Sequence, residues 1–463
     1  MTEAPAFLDR RSVQGRRALA GLTLGSGVAI LDGSVVNVAL RTMGRDLDAS
    51  LAQLQWVVNG YLLALASLVL VGGALGDRRG RRRVYLVGVG AFAVASALCA
   101  LAQTPGQLVA LRVLQGVGAA LLTPGALALI QASYRPEDRA AAIGTWAGLS
   151  GIAGALGPVV GGWVVDHTSW RWIFAINVPL CVAVVLLTRN AVPESRDPSA
   201  TGAFDVLGAG FTVLSLGAAT YALTASGESG GGAVTAAWVV AVACAVGFVV
   251  VESRSSHPMV HLGMFRNRVF SAANAMTLLV YGALGGVSLF VVLQLQAAGW
   301  SALEAGLSGL PITISLMLLS SRAAALAQRT GPRMPMTVGP LVCAAGALLL
   351  LAATDAPSWL TVLPGMVVFS LGLALLVSPL TAAVLAAAPD RETGVASGVN
   401  NAVARAGSLL AVAALPAVVG LAGDDYLGRE TMAAGYRGAM LWCAVLLALG
   451  GVVSWFGLGR APR

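Results

Sequence analysis

Long apolar stretches, separated by short polar segments rich in arginine, follow one another along the whole chain. A membrane-spanning helix needs about 20 mostly apolar residues, and fourteen stretches of about this length are present. The predicted helices cover approximately residues 18–40, 53–76, 83–103, 107–131, 140–165, 170–190, 205–225, 234–252, 269–296, 301–325, 334–354, 358–385, 394–420 and 437–458. The stretch 356–389 is long for one helix and short for two. The pattern predicts an all-α integral membrane protein.

The positions of the arginines give these helices a direction. Cytoplasmic loops of membrane proteins carry an excess of Arg and Lys, and most of the 29 cationic residues fall in alternate loops, on the side of the N-terminus. The exceptions are Arg41, Arg45, Arg171, Arg429 and Arg437 in the opposite loops, and Arg112 and Arg405 within predicted helices. We therefore predict an even number of helices, with both termini in the cytoplasm.

The composition agrees with a lipid environment. Hydrophobic residues make up 57% of the chain and charged residues only 11%, whereas a soluble domain carries about 25% charged residues. A net charge of +8 often indicates nucleic-acid binding, but topology explains these arginines and we expect no nucleic-acid partner. All the cations are Arg, which with abundant Ala, Gly and Val indicates a GC-rich bacterial source. The five cysteines have no metal-ligand spacing, so we expect neither a metal nor a cofactor.

A weak internal repeat indicates how the helices are grouped. Residues 75–82 and 326–333 share Leu, Arg and Gly at a common offset. Transporters are often built from such repeats around a site near the middle of the membrane. The first copy follows predicted helix 2 and the second copy follows predicted helix 10, eight helices later. If the repeated unit has six helices, two additional helices lie between the two units. We predict one bundle at residues 1–199, two linker helices at 200–258 and a second bundle at 259–463.

Two ionisable residues, Asp32 and Arg112, lie at similar depths within predicted helices 1 and 4. An ionisable group inside the membrane is costly and marks a functional site by default. Burial disfavours a charged carboxylate, whereas a nearby cation favours it. A carboxylate whose surroundings alternate can therefore load and release a proton. The alternative is a permanent structural role, with Asp32 holding helices together and Arg112 satisfying backbone carbonyls.

Arg405 is the other charge inside a predicted helix, and no carboxylate lies deep in the second half of the sequence. It either bonds backbone and amide groups or faces the substrate path. Polar groups in a membrane usually face the bundle interior, although many only join helices. The candidate cavity residues are Asn59, Tyr61, Gln115, Trp146, Asn274, Tyr281, Asn400 and Arg405, with Asn177 and Gln294 as further candidates.

Four local motifs together resemble signatures of the major facilitator superfamily. Residues 73–82 (GALGDRRGRR) are similar to its cytoplasmic loop motif and residues 108–120 (LVALRVLQGVGAA) to its fourth-helix motif. Residues 157–162 (GPVVGG) resemble the core of its fifth-helix antiporter motif, and residues 31–40 (LDGSVVNVAL) the first-helix motif of its fourteen-helix drug:proton antiporters. Residues 170–179 and 394–401 also look like this family. Ala153, Ser34 and Arg41 depart from the patterns, which have Gly, Thr and Pro there.

The resemblance implies the major facilitator fold, in which two six-helix bundles rock around a central cavity. Because helices 1 and 4 both line that cavity in this superfamily, we expect Asp32 and Arg112 to interact directly or through water. The resemblance also implies two conformational motifs, a latch for the outward-facing state and a seal against the second bundle. The latch residues are Asp77, Gly80 and Arg81, and the seal residues are Gly157, Pro158, Gly161 and Gly162. The alternatives are a simple topology signal for the first motif and a static packing kink for the second.

The sequence thus predicts a proton-coupled exporter of drugs, antibiotics or similar small amphipathic molecules, cationic or neutral in charge, with Asp32 as the proton carrier. An importer or dedicated metabolite porter of the same fold is the alternative. An enzyme would need a nucleophile, a metal or paired acids at close quarters, and the sequence offers none. The expected partners are a small-molecule substrate, protons and the lipid of a bacterial cell membrane. We expect the chain to act as a monomer, driven by the proton gradient without a cofactor.

Overall fold

α-Helices make up nearly all of the computed structural model, which describes residues 7–197, 205–227, 231–255, 258–389 and 392–458. In chain order the helices of these ranges are α1 Val13–Leu47, α2 Leu51–Arg79, α3 Arg81–Ala100, α4 Pro105–Ser133, α5 Pro136–His167, α6 Trp172–Ala175, α7 Asn177–Thr188, α8 Val206–Ala225, α9 Gly232–Arg254, α10 Arg268–Ala297, α11 Ala302–Leu307, α12 Leu310–Thr330, α13 Arg333–Leu349, α14 Trp359–Ala386, α15 Thr393–Val418 and α16 Arg429–Gly457. Short 3-10 turns lie at Leu262–Arg266, Leu350–Ala353 and Asp425–Leu427.

The helices correspond to the spans predicted from the apolar pattern. Among the described residues, thirteen helical segments are long and apolar enough to cross a membrane, with Ala302–Thr330 taken as one span. A shorter apolar segment, Trp172–Thr188, accounts for the sixth predicted helix. The stretch 356–389, which is long for one helix and short for two, contains the single helix α14. This helix begins with a capping box of Ser358 and Thr361. The chain is therefore a multi-pass α-helical membrane protein, as predicted.

Several helices extend beyond the predicted limits into polar sequence. α1 begins at Val13, five residues earlier than the apolar stretch, because the side chain of Ser12 accepts a hydrogen bond from the N–H of Gly15. α16 begins at Arg429, so Arg437 lies within this helix instead of in a loop. Hydropathy marks only the part of a helix that lies in lipid, whereas capping residues decide where the helix begins and ends.

The helices form two bundles in which equivalent helices have equivalent neighbours. In the first bundle α1 packs on α5 and α7, α4 packs on α2 and α3, and α3 packs on α7. In the second bundle α10 packs on α15 and α16, α14 packs on α12 and α13, and α13 packs on α16. Each contact in one bundle thus has a counterpart in the other, in the register that the repeated loop sequences indicate.

The two remaining long helices lie outside this repeat. α8 and α9 pack against each other, and α8 also contacts α2 and α15, which belong to different bundles. The fold is therefore two six-helix bundles with two additional helices. The first predicted domain boundary, at 199/200, lies outside the described residues, and the numerical limits of the three segments stay a prediction.

Glycines allow the helices of each bundle to approach through their backbones. A Cβ atom on Gly116 of α4 would lie 2.6 Å from the carbonyl oxygen of Tyr61, and one on Gly118 would lie 2.6 Å from the amide nitrogen of Phe92. In the second bundle, a Cβ on Gly372 would lie 2.6 Å from the amide nitrogen of Cys343. Close packing of this kind, and not hydrophobicity, holds helices together in lipid.

Candidate functional site

A cavity of about 1150 Å³ lies between the two bundles. Its inner walls include Asn37 and Tyr61 from the first bundle and Tyr281 and Arg405 from the second. The cavity continues to the turn between α2 and α3, and to Pro258 and Thr393 near the ends of α9 and α15; the lining residues at the turn are Asp77, Arg78 and Arg81. These segments all belong to the end predicted to be cytoplasmic, so the cavity opens on that side.

Hydrogen bonds between the bundles close the opposite end. The side-chain amide of Gln55 on α2 donates to the carbonyl oxygens of Val412 and Ala413 on α15, at 2.6 and 3.0 Å. The amide of Gln296 on α10 donates to the carbonyl of Val38 on α1 at 2.7 Å. The described chain is therefore in an inward-facing arrangement, open at the predicted cytoplasmic end and closed at the other.

A further contact at the closed end involves a tyrosine between α15 and α16. The hydroxyl of Tyr426 donates to the carbonyl oxygen of Ala49, between α1 and α2, at 2.9 Å. Desolvation by burial raises the pKa of Tyr426 to about 12, so the hydroxyl keeps its proton at physiological pH. This hydrogen bond is a further link between the two bundles at the closed end.

The glycine and proline motif of α5 lies against both bundles. A Cβ atom on Gly157 would overlap Ser34 of α1. A Cβ on Gly162 would lie 2.5 Å from the Cα of Leu303 on α11, which belongs to the second bundle, and one on Gly306 would overlap the carbonyl of Pro158. The contact with the second bundle that the resemblance implied is present, while its role as a seal stays a prediction.

One predicted seal residue, Gly161, and one residue that the sequence reasoning missed, Asp166, reinforce this junction. Gly161 of the same motif faces Val35 of α1, where a Cβ would overlap the valine side chain. Asp166, one turn further along α5, accepts hydrogen bonds from the amide nitrogens of Ala302 and Leu303 at 2.9 and 2.8 Å. Asp166 thereby caps the first turn of α11, where a carboxylate interacts favourably with the helix dipole.

Asp32 and Arg112 form an ion pair that is closed to solvent. The Arg112 Nη1 atom lies 2.5 Å from Asp32 Oδ2, and the two side chains are 1% and 0% exposed. The amides of Gln115 and Asn177 both donate to Asp32 Oδ1, at 2.8 and 2.9 Å, and Gln115 also donates to Ser96 Oγ at 2.7 Å. The direct contact between Asp32 and Arg112 that we expected is therefore present, within a network from α1, α3, α4 and α7.

The surroundings of the pair stabilise its charged form. All three donors to Asp32 are N–H groups, and charge-assisted hydrogen bonds of this kind are stronger than neutral ones. The Arg112 guanidinium also donates through Nε to the carbonyl of Val57 at 3.1 Å. The ring of Tyr61 lies 4.3 Å from the Arg112 Cζ atom, and its hydroxyl donates to the carbonyl of Ala29. Tyr61 and Arg112 line the cavity, whereas Asp32 lies behind them.

The predicted latch residues lie at the mouth of the cavity, within the first bundle. The Arg81 Nε atom, at the start of α3, donates at 2.7 Å to Oδ1 of Asp77 in the last turn of α2. Gly80 between them has a φ of +110°, a backbone conformation that favours glycine. Glu194, which the sequence reasoning did not single out, accepts from the amides of Arg82 and Arg83 at 3.0 and 3.1 Å. The carboxylate of Glu194 therefore caps α3.

Five of the eight residues predicted to line the cavity do so. Tyr61, Trp146, Tyr281 and Arg405 line the main cavity, and Asn400 lines a smaller space of about 280 Å³ beside Arg405. The other three residues do not line the cavity in this arrangement. Asn59 is fully buried, the side chain of Gln115 is bound to Asp32, and Asn274 donates to the carbonyl of Phe270 and accepts from Asn400.

The two additional candidates are also turned away from the cavity. Asn177 belongs to the Asp32 network, and the amide of Gln294 donates to the carbonyl of Thr354 at 2.5 Å. Asn37, which lines the cavity from α1, is a residue that sequence reasoning did not propose. The positions of these side chains around a helix depend on the angular placement of neighbouring helices, which no single sequence motif reports.

Two repeated helical bundles around a cavity that opens at one end define a membrane transporter. The chain belongs to the Major Facilitator Superfamily, whose family model matches residues 22–412. It is 35% identical to a methylenomycin A resistance protein of Bacillus subtilis (strain 168), over 97% of this chain and 96% of that protein.

Another relative and a solved structure extend the comparison. The chain is 35% identical to a tetracenomycin C resistance and export protein of Streptomyces glaucescens, over 86% of this chain and 74% of that protein. A bacterial homolog of the human lysosomal transporter Spinster, solved in an inward-facing and unoccupied conformation, superimposes with a TM-score of 0.66. That alignment covers 96% of this chain and 97% of the other at 16% identity, which indicates a shared fold alone.

Proposed function

We propose that this protein exports antibiotics or similar small amphipathic molecules across a bacterial cytoplasmic membrane in exchange for protons. The observation that carries the proposal is the Asp32–Arg112 pair, in which Arg112 contributes to the wall of the central cavity and Asp32 lies directly behind it. The relatives named above are antibiotic resistance proteins, and one is named as an export protein. The cavity volume of about 1150 Å³ is slightly above the range of about 300–1,000 Å³ that is usual for small-molecule sites.

In this proposal the proton and the arginine compete for the same carboxylate. With the cavity open to the cytoplasm, Asp32 is deprotonated and held by Arg112, Gln115 and Asn177. When the bundles rock to the outward-facing state, protonation of Asp32 removes its charge and weakens the bond to Arg112. Arg112 lines the cavity, so a change in its position alters the substrate site directly.

The free energy for this cycle comes from the proton gradient. A proton that moves inward gains about 2.3 kcal/mol per 100 mV from the membrane potential alone. No cofactor is part of the proposed cycle. Substrate enters the cavity from the cytoplasm before the bundles rock to the outward-facing state. The protein with protonated Asp32 then returns to the inward-facing state and releases the proton into the cytoplasm.

A susceptibility panel in a bacterial host that lacks its own efflux pumps tests the export proposal. We expect the wild-type protein to reduce susceptibility to at least one antibiotic, and Asp32→Asn to abolish that protection. Asp355→Asn is the matched control, because the Asp355 side chain is 82% exposed at the other end of the molecule. If correctly inserted wild-type protein leaves the susceptibility to every antibiotic of the panel unchanged, export of these antibiotics is contradicted.

The direction of the pH change distinguishes export from import. In inverted vesicles with an acidified interior, addition of an exported compound draws protons out, so the luminal pH rises. An importer that moves substrate and proton together gives no rise, or a fall. We therefore expect a substrate-dependent rise of luminal pH in vesicles with the wild-type protein.

A further inference from the structure

Arg405 is a half-buried cation without an acidic partner. It lies on α15 and lines both the main cavity and the adjoining space of about 280 Å³. No carboxylate is within salt-bridge distance of it among the residues that the structure describes. The groups that interact with its charge are the phenols of Tyr61 and Tyr281, one from each bundle. An ionisable group inside a membrane-spanning helix is costly and marks a functional site by default.

The side-chain amides of the two asparagines beside Arg405 are already bound within the protein. The amide of Asn400 donates to Asn274 Oδ1 at 3.1 Å and to Thr277 Oγ1 at 2.8 Å. The amide of Asn401 donates to the carbonyl of Ser397 at 3.2 Å. These bonds hold the wall of the site in place and leave the guanidinium as the charged donor available to a ligand.

The acidic groups of the cavity wall do not compensate Arg405. Asp77 is paired with Arg81 at the mouth. Asp205 accepts from the N–H of Gly208 and so caps α8. Asp32, behind the wall, already balances Arg112. The inner part of the cavity consequently carries an uncompensated positive charge at Arg405.

We propose that Arg405 binds a carboxylate, or a comparable single anionic group, of an amphipathic substrate. The apolar body of the substrate would lie along Leu62, Leu65 and Leu284 of the same cavity wall. A guanidinium suits this role because its planar donors match both oxygens of a carboxylate. The inference rests on the proposed export function and replaces the sequence-based expectation of a cationic or neutral substrate.

Binding of two matched fluorescent probes tests this inference without a proton gradient. Dansylglycine carries a carboxylate, and dansylglycinamide is its neutral counterpart with the same fluorophore. Their emission is titrated with the full-length protein in nanodiscs. We expect the wild-type protein to bind the acid about tenfold or more tightly than the amide, because hydrogen bonds to charged groups are the stronger ones.

Three variants test whether Arg405 causes the preference for the acid over the amide. Arg405→Gln is expected to bind the two probes equally, and Arg405→Lys, which keeps the charge, to recover part of the preference. Arg437→Gln is the matched control, because the Arg437 side chain is 57% exposed far from the cavity, and it should behave like the wild type. Equal binding of acid and amide by the wild type, an unchanged preference in Arg405→Gln, or no recovery in Arg405→Lys would overturn the inference.

A failure of the anion site can be distinguished from a failure of the proposed export function. If the protein prefers the acid but moves no protons, the anion site stands and proton-coupled export fails. If it exports antibiotics with proton exchange but binds acid and amide equally, export stands and the assignment of Arg405 fails.

Discussion

Asn177 donates to Asp32 Oδ1 at 2.9 Å, although 145 positions separate the two residues in the sequence. Asn177 is the first residue of α7, directly after the break that separates this helix from α6. The amide therefore enters the bundle at the depth of Asp32, opposite Gln115 on α4. The proposed proton site is consequently built from at least three helices, and movement of α1 relative to α7 would change the number of donors that Asp32 has.

Replacement of Asn177 tests whether these donors control proton binding. In Asn177→Ala the charged carboxylate loses one of three donors, which costs roughly 1–3 kcal/mol. We expect the pH profile of transport to differ from that of the wild type, because the carboxylate of Asp32 is then bound by two donors instead of three. Asn190→Ala, at an exposed position after α7, serves as the control. A profile identical to that of the wild type would exclude a role for Asn177 in proton binding.

Gly162→Ala tests the proposed seal between α5 and α11. The added Cβ would lie 2.5 Å from Leu303 Cα, and backbone atoms at that distance must move apart. Spin labels are attached at His167→Cys and Glu304→Cys, both at exposed positions. We expect double electron–electron resonance to show a longer distance between the labels with Gly162→Ala than without it.

The same helix supplies the control for this experiment. A Cβ on Gly148 meets no atom within 4 Å, so Gly148→Ala should leave the label distance unchanged. A Gly162→Ala variant with the wild-type distance and wild-type transport would show that this glycine does not hold the outer end closed.

Gly80→Ala tests the turn that joins the latch residues. A backbone with φ at +110° costs a non-glycine residue about 1–3 kcal/mol, and the new Cβ would lie 2.9 Å from the Cδ of Glu194. We expect a lower midpoint of thermal unfolding in detergent and slower transport. Gly90→Ala, where a Cβ meets nothing within 4 Å, should have the midpoint of the wild type, and an equal effect of both substitutions would exclude the turn as the cause.

The sequence predicted the elements of this fold well because lipid imposes a simple rule. A spanning segment must be apolar over its length and must satisfy its own backbone, so every span is visible in the hydropathy pattern. The depth of Asp32 and Arg112 was also predictable, since each lies a countable number of residues from a helix end. Their direct contact followed from equal depth on helices that share a cavity.

Whether a neutral side chain faces the cavity or a neighbouring helix was not predictable in the same way. Asn59, Gln115 and Asn274 were expected in the cavity wall, yet each is enclosed within a bundle. A rotation of a helix by one residue, about 100°, moves a side chain from a cavity to a helix contact without any change in hydropathy. Glu194 and Asp166 were missed for another reason, because each binds backbone amides of a distant segment, a contact that has no sequence motif.

Proton flux through reconstituted protein tests the central role of Asp32 most directly. Proteoliposomes that contain a pH-sensitive dye and a substrate identified in the susceptibility panel are compared for wild type and Asp32→Asn, together with substrate exchange in the absence of a pH gradient. We expect Asp32→Asn still to exchange labelled for unlabelled substrate but to move no protons when substrate is added. Substrate-dependent proton flux in Asp32→Asn at the wild-type rate would contradict this expectation.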